Sequence, residues 1–164
     1  RGHEYFVYPL NIMVNYPFSS LFKEIQEKGF IINIFICKNH PMKKDISNRF
    51  DVELLVNSFY NKVREDELIS FFFSEIVAVD WEKHLPVMYD FWDNILFYAG
   101  KYEGNPMAKH RDIHQKCPMK MEHFQRWIHL FTETVDELFE GNTSELAKQR
   151  ATSIATVMQI KMFS

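Results

Sequence analysis

From Asp51 to about Arg64 the apolar residues Val52, Leu55, Val56, Phe59, Tyr60 and Val63 recur at every third or fourth position. A strand would put every second residue on one face, so this spacing predicts an amphipathic helix with a single apolar side to bury. The period returns in His84, Met88, Phe91, Trp92 and Ile95, on a helix predicted to open with Asp80 as N-cap, to tolerate Pro86 near its first turns, and to end near Gly100. It returns again in Phe124, Trp127, Ile128, Phe131, Val135 and Leu138, between Met119 and Glu140, with Gly141 as the stop. A last helix starting near Thr143 or Ser144 carries Ala147, Ala151, Ile154, Met158 and Met162. Leu68 to Phe73 suits one helical turn. Gly104-Asn105-Pro106 interrupts the pattern, and Pro at a first helical position predicts a short helix from Pro106 that presents His110 one turn later. With 16 Phe and 5 Gly in 164 residues, bulky helical faces are favoured over turn-dense β structure, and the chain is expected to be all-α.

The length suits one domain with a substantial core. A net charge of −3 without any stripe of Lys and Arg argues against nucleic acid as a partner. Phe30 to Cys37, the most apolar run, is far shorter than the ~20 residues a spanning helix needs, and no signal-peptide pattern opens the chain, so no membrane association is expected. Cys37 and Cys117 form neither a C-x-x-C pair nor a disulfide framework, which points to a reducing, cytoplasmic compartment. Residues 1–41 are rich in Phe, Tyr, Ile and Asn and carry no sustained helical period. They read as an N-terminal extension or as upstream sequence foreign to the native protein, the second being preferred, with residues 42–164 as the domain.

Three metal chemistries are open to the histidines. His110-x-x-x-His114 puts two imidazoles on one helix face, as zinc would require, but the H-E-x-x-H glutamate and an obvious third ligand are missing. A di-iron bundle needs Glu-x-x-His pairs, and neither Glu122-His123 nor Glu82-Lys83-His84 has that spacing. Haem needs one neutral imidazole on one side and a controlled pocket on the other, and His84 and His110 lie on different predicted helices, able to approach a plane from opposite faces. The plainer reading makes His84 a buried histidine satisfied by a carbonyl, and Tyr60 and Trp127 core residues whose polar tips find acceptors. No Ser-His-Asp set, P-loop or dinucleotide fingerprint occurs. Read this way, the residues leave a haem protein, a helical zinc-binding module and a cofactor-free structural or interaction protein as the alternatives, which an intense Soret band would separate.

Several motifs in a fixed order narrow the choice. Trp81-x-x-His84-Leu85-Pro86, Phe91-Trp92, Tyr102-x-Gly104-Asn105-Pro106, His110, and His123-Phe124-x-Arg126-Trp127-x-x-Leu130-Phe131 together resemble the group III truncated haemoglobins, over roughly Asp45 to Met162. The resemblance implies a truncated globin, a two-on-two helical sandwich around haem b. It makes His110 the iron ligand and sets Tyr60, His84 and Trp127 around the bound gas. It expects Phe59, Phe72, Met88 and Lys109 against the cofactor, Lys109 beside a propionate. It further implies O₂, NO or CO as small ligands at a five-coordinate iron, nitric-oxide or peroxide chemistry on them, and room for an unidentified reductase as partner.

Overall fold

The computed structural model describes residues 43–99 and 101–163. The segment 1–41, with its apolar run, Met42 and Gly100, the expected helix end, lie outside the described residues.

Helix α1 (Arg49–Glu65) opens where the Asn48 side chain accepts from the Asp51 amide at 3.2 Å, satisfying an amide that lacks a partner in the first turn. Its stripe is buried as its spacing requires: Val52, Leu55, Val56 and Val63 are 0% exposed and Phe59 1%. Each such side chain contributes about 1.5–3 kcal/mol of transfer free energy. Helix α2 (Trp81–Phe97) opens on Asp80, which accepts from the Lys83 amide at 3.4 Å, and it holds Pro86 in its interior. It stops short of the expected Gly100 because Tyr98 adopts the left-handed conformation, φ 58° and ψ 24°, with its amide bonded to the Asn94 carbonyl.

The turn expected over Leu68–Phe73 is present and runs further: the Ser70 amide bonds to the Asp66 carbonyl at 3.1 Å, and the chain then widens. Phe72–Ile76 form one π-helical turn, closed by the Val77 amide on the Phe72 carbonyl at 3.1 Å, with Ala78 at φ +49° ending it. Asp66 braces this turn from behind: its carboxylate accepts from the Leu68 and Ile69 amides and from Arg126 Nε at 2.6 Å. Helix α3 (Pro106–Lys116) begins as read, with Asn105 Oδ1 accepting from the Ala108 amide at 3.1 Å. Helix α4 (Met121–Leu138) starts two residues after Met119, where His123 Nδ1 accepts from the Lys120 amide at 3.0 Å.

Helix α5 (Asn142–Phe163) is capped from outside its own sequence. The Asp45 carboxylate accepts from the Thr143 and Ser144 amides and from the Ser144 hydroxyl. Gly141, at φ +150°, makes room for it, since a Cβ there would lie 2.3 Å from the Asp45 carboxyl carbon.

Helix α1 packs on α2 and on α4, and α5 packs on α4 and on α2. The four close into two layers of two, with α3 resting on α5. This is the two-on-two helical sandwich that the resemblance implies, and no strand occurs among the described residues. Phe131, 0% exposed, sits at the middle of the core. Trp92 stacks on it at 4.5 Å, Trp127 stacks on it at 5.7 Å, and Phe59 meets it edge-on at 5.3 Å. Among the described residues no helix is long and apolar enough to cross a membrane.

Candidate functional site

A cavity of about 610 Å³ opens between α2, α3, α4, α5 and the π turn. Its size falls in the range of roughly 300–1,000 Å³ typical of small-molecule and cofactor sites. Phe72, Met88, Phe91, Met119, Phe124 and Met158 give it apolar walls. Seven of the eight residues singled out from sequence line it: Tyr60, Phe72, His84, Met88, Lys109, His110 and Trp127. Phe59 does not. It stands one layer behind, packed against Tyr60 at 4.9 Å and Trp127 at 5.5 Å, so it shapes the wall through those two rings.

His110 projects from the first turns of α3. Its Nδ1–H donates to the Pro106 carbonyl at 2.7 Å, one turn earlier on the same helix. Because that carbonyl can only accept, the proton sits on Nδ1 and Nε2 keeps its lone pair. Burial lowers the imidazole pKa, against the smaller opposing effect of the Pro106 hydrogen bond, and favours the neutral ring that ligation of a metal requires. His110 is thus held in one orientation and one tautomer by its own helix.

A second polar group comes from α1 and α2. The Tyr60 hydroxyl and His84 Nε2 lie 3.3 Å apart. Burial raises the Tyr60 pKa well above the ordinary phenol value, so the hydroxyl keeps its proton. Burial, helped by the proximity of His110, lowers that of His84, which disfavours the imidazolium. A neutral imidazole and a protonated phenol share one hydrogen bond. When His84 Nε2–H donates, the Tyr60 O–H is free to donate to a third group; when Tyr60 donates, it is not. The Trp127 indole, stacked on Phe131, contributes another wall with an N–H that can only donate.

Two other histidines, His114 and His123, serve the fold. His114 Nδ1 accepts from the Met119 amide at 3.0 Å, closing the loop between α3 and α4. His123 caps α4 while its ring meets Phe72 edge-on at 4.9 Å on the cavity wall. His129 is exposed, and His3 and His40 lie outside the described residues. Among the described residues no group of three or more His, Cys, Asp or Glu side chains is placed to hold a metal ion by itself, and His114, the second ligand a zinc site would need, does not line the cavity.

Two of the lining residues that were not assigned to the site from sequence are Lys116 and Tyr102. Lys116 lines the cavity together with Lys109, so two ammonium groups stand along α3 at the cleft, with the Asp112 carboxylate also among the lining groups. Tyr102 also lines the cavity, edge-on to Phe91 at 5.1 Å, with its ring in the space a side chain on Gly104 would fill, 2.4 Å from where that Cβ would be. The glycine in Tyr102-x-Gly104 was the available signal for this close approach. The set fits haem: apolar walls for a porphyrin, one oriented neutral imidazole for iron, and two cations for its two carboxylates.

Comparison with known proteins agrees. The sequence pattern of the bacterial-like globin family matches residues 45–163. The group 3 truncated hemoglobin ctb of Campylobacter jejuni subsp. jejuni serotype O:2 is 29% identical over 125 residues, covering 74% of this chain and 96% of that protein. The crystal structure of the group III truncated hemoglobin from Campylobacter jejuni superposes with a TM-score of 0.66 at 31% identity, covering 74% of this chain and 95% of that one. With the helical sandwich and its histidine-bearing cavity, these matches mean that the chain belongs to the bacterial-like globin family, as a haem-binding globin of the group III truncated haemoglobin type.

Proposed function

We propose that the chain holds haem b through His110 and uses Tyr60, His84 and Trp127 to bind and polarise O₂ or another diatomic gas. The observation that carries this reading is the pairing, across one cavity, of an oriented neutral His110 with the Tyr60–His84 contact at 3.3 Å. Bound haem supplies an iron with a coordination position open to a small gas. The b type is supported by the absence of any C-x-x-C-H attachment motif. Free Cys117 accords with a reducing, cytoplasmic location.

The residues around the cavity divide the work. His110 holds the metal side, with the Pro106 carbonyl keeping its ring from rotating. Lys109 and Lys116 neutralise carboxylates at the rim, and Phe72 and Met88 exclude water from the flat faces. With His84 Nε2–H donating to Tyr60, the Tyr60 hydroxyl and the Trp127 indole offer donors to a guest that takes on negative charge, and in a dry pocket each such bond contributes about 1–2 kcal/mol. Two such donors hold a guest longer than oxygen delivery favours. The arrangement therefore suits chemistry on the held gas, such as nitric-oxide removal or peroxide reaction, with a reductase restoring the ferrous state.

His110→Ala tests the assignment. The variant is expected to lose haem or the five-coordinate ferrous spectrum; retention of the wild-type spectrum would overturn it.

A further inference from the structure

Outside the cavity, Trp81 touches both members of the Tyr60–His84 pair without lining the site. Its ring lies 5.4 Å from that of Tyr60 and 5.8 Å from that of His84, the latter nearly perpendicular. It is also nearly parallel to Phe73 at 5.9 Å, and Phe73 is itself edge-on to Tyr60 at 6.0 Å. On the outer side the guanidinium carbon of Arg64 stands 4.0 Å from the Trp81 ring centroid, within cation–π range.

The spacing along the two helices explains why these contacts come together. Arg64 lies one turn beyond Tyr60 near the end of α1, and Trp81 one turn before His84 at the start of α2. Residues one turn apart share a helix face, so the two helices meet through two rungs, Arg64 with Trp81 outside and Tyr60 with His84 inside. The inner rung is loose, since 3.3 Å exceeds the usual O–H···N distance. Its geometry is left to the packing of the two rings, and Trp81 is in contact with both.

We propose that Arg64 and Trp81 form the positioning element for the distal donors: Arg64 clamps the Trp81 indole, and the indole sets the distance and orientation between the Tyr60 hydroxyl and His84 Nε2. The inference rests on the reading that this pair faces the bound gas. Neither Arg64 nor Trp81 touches the guest, so both act through the rings beside them.

The test compares the haem-loaded wild type with Arg64→Gln, Arg64→Lys, Trp81→Leu and Trp81→Phe, with Tyr60→Phe as reference. The readouts are the C–O stretching band of the CO complex and the O₂ release rate. Trp81→Leu is expected to split or broaden the band, because the pair then samples several arrangements, and to speed release several-fold. Arg64→Gln, an exposed position where folding is not at stake, should shift both in the same sense by roughly two- to fivefold in rate, the equivalent of one exposed cation–π contact. Arg64→Lys and Trp81→Phe, which keep the cation and an aromatic face, should restore most of the wild-type band. Unchanged bands and rates in Arg64→Gln and Trp81→Leu, while Tyr60→Phe moves both, would overturn the positioning role and leave the distal reading intact. If Tyr60→Phe also moves neither, the distal reading falls and takes this inference with it.

Discussion

Tyr60 leaves 7% of its surface to solvent, and its hydroxyl finds its partner in His84 across an interhelical gap. Periodicity placed it on the inward face of α1, but its role came from the resemblance, because a stripe cannot say whether a buried phenol satisfies a backbone carbonyl or waits for a guest. The same limit held for Trp127. Its place in the stripe was legible, whereas its stacking on Phe131 and its position on the cavity wall depend on helices remote in sequence. Phe59, a large apolar residue beside the site in sequence, lies one layer behind the cavity wall, with Tyr60 packed against it. Tyr60→Phe and Trp127→Leu test the donors directly. Each removes about 1–1.5 kcal/mol of hydrogen bonding, so O₂ release should quicken roughly tenfold. The C–O stretch of the CO complex should rise in both, because a less positive pocket weakens back-donation. Equal release rates in wild type and both variants would leave the gas without protein donors.

Helix starts were readable where the cap is local. Asp80 and Asn105 sit immediately before the helices they open, and Pro106 fixes the backbone of the first position. The end of α2 at Tyr98 and the π turn over Phe72–Ile76 were not, since neither carries glycine or another residue that advertises its geometry. The cap of α5 was also out of reach, because its donors and its acceptor, Asp45, are far apart in the chain. Burial raises the Asp45 pKa, but the hydrogen bonds from Ser144, Thr143 and Ile46 outweigh it and lower the value to about 2 from the ordinary 3.8. Between those two values the unfolded chain binds a proton that the folded chain refuses. The stabilisation is therefore complete above about pH 4 and is lost as pH falls toward 2. Asp45→Asn should lower stability at pH 7 by about 1–2 kcal/mol, discounted for partial exposure, and flatten the Tm profile across that acid window. A Tm profile identical to wild type would remove the cap from the stability of α5.

At the scale of the whole chain, the site residues singled out from sequence all follow Met42. A chain begun at Met42 is expected to take up haem normally and to keep its Tm within a few degrees; failure to load haem would move the domain boundary toward the N-terminus. The four long helices bury their stripes against one another, but α3 has no fully buried residue and rests on α5. If His110 ligates the iron as proposed, the helix that carries it would draw a share of its stability from the cofactor. Before haem arrives, this stretch would then be a weak point among the described helices, and it displays Lys109, Arg111 and Lys116 as tryptic sites. Brief trypsin treatment should cut the haem-free protein there first, with haem abolishing those cuts; equal cutting with and without haem would refute the coupling. Inside a cell, the lifetime of the protein would then follow the supply of haem, and copies that never acquire it would be cleared from the pool.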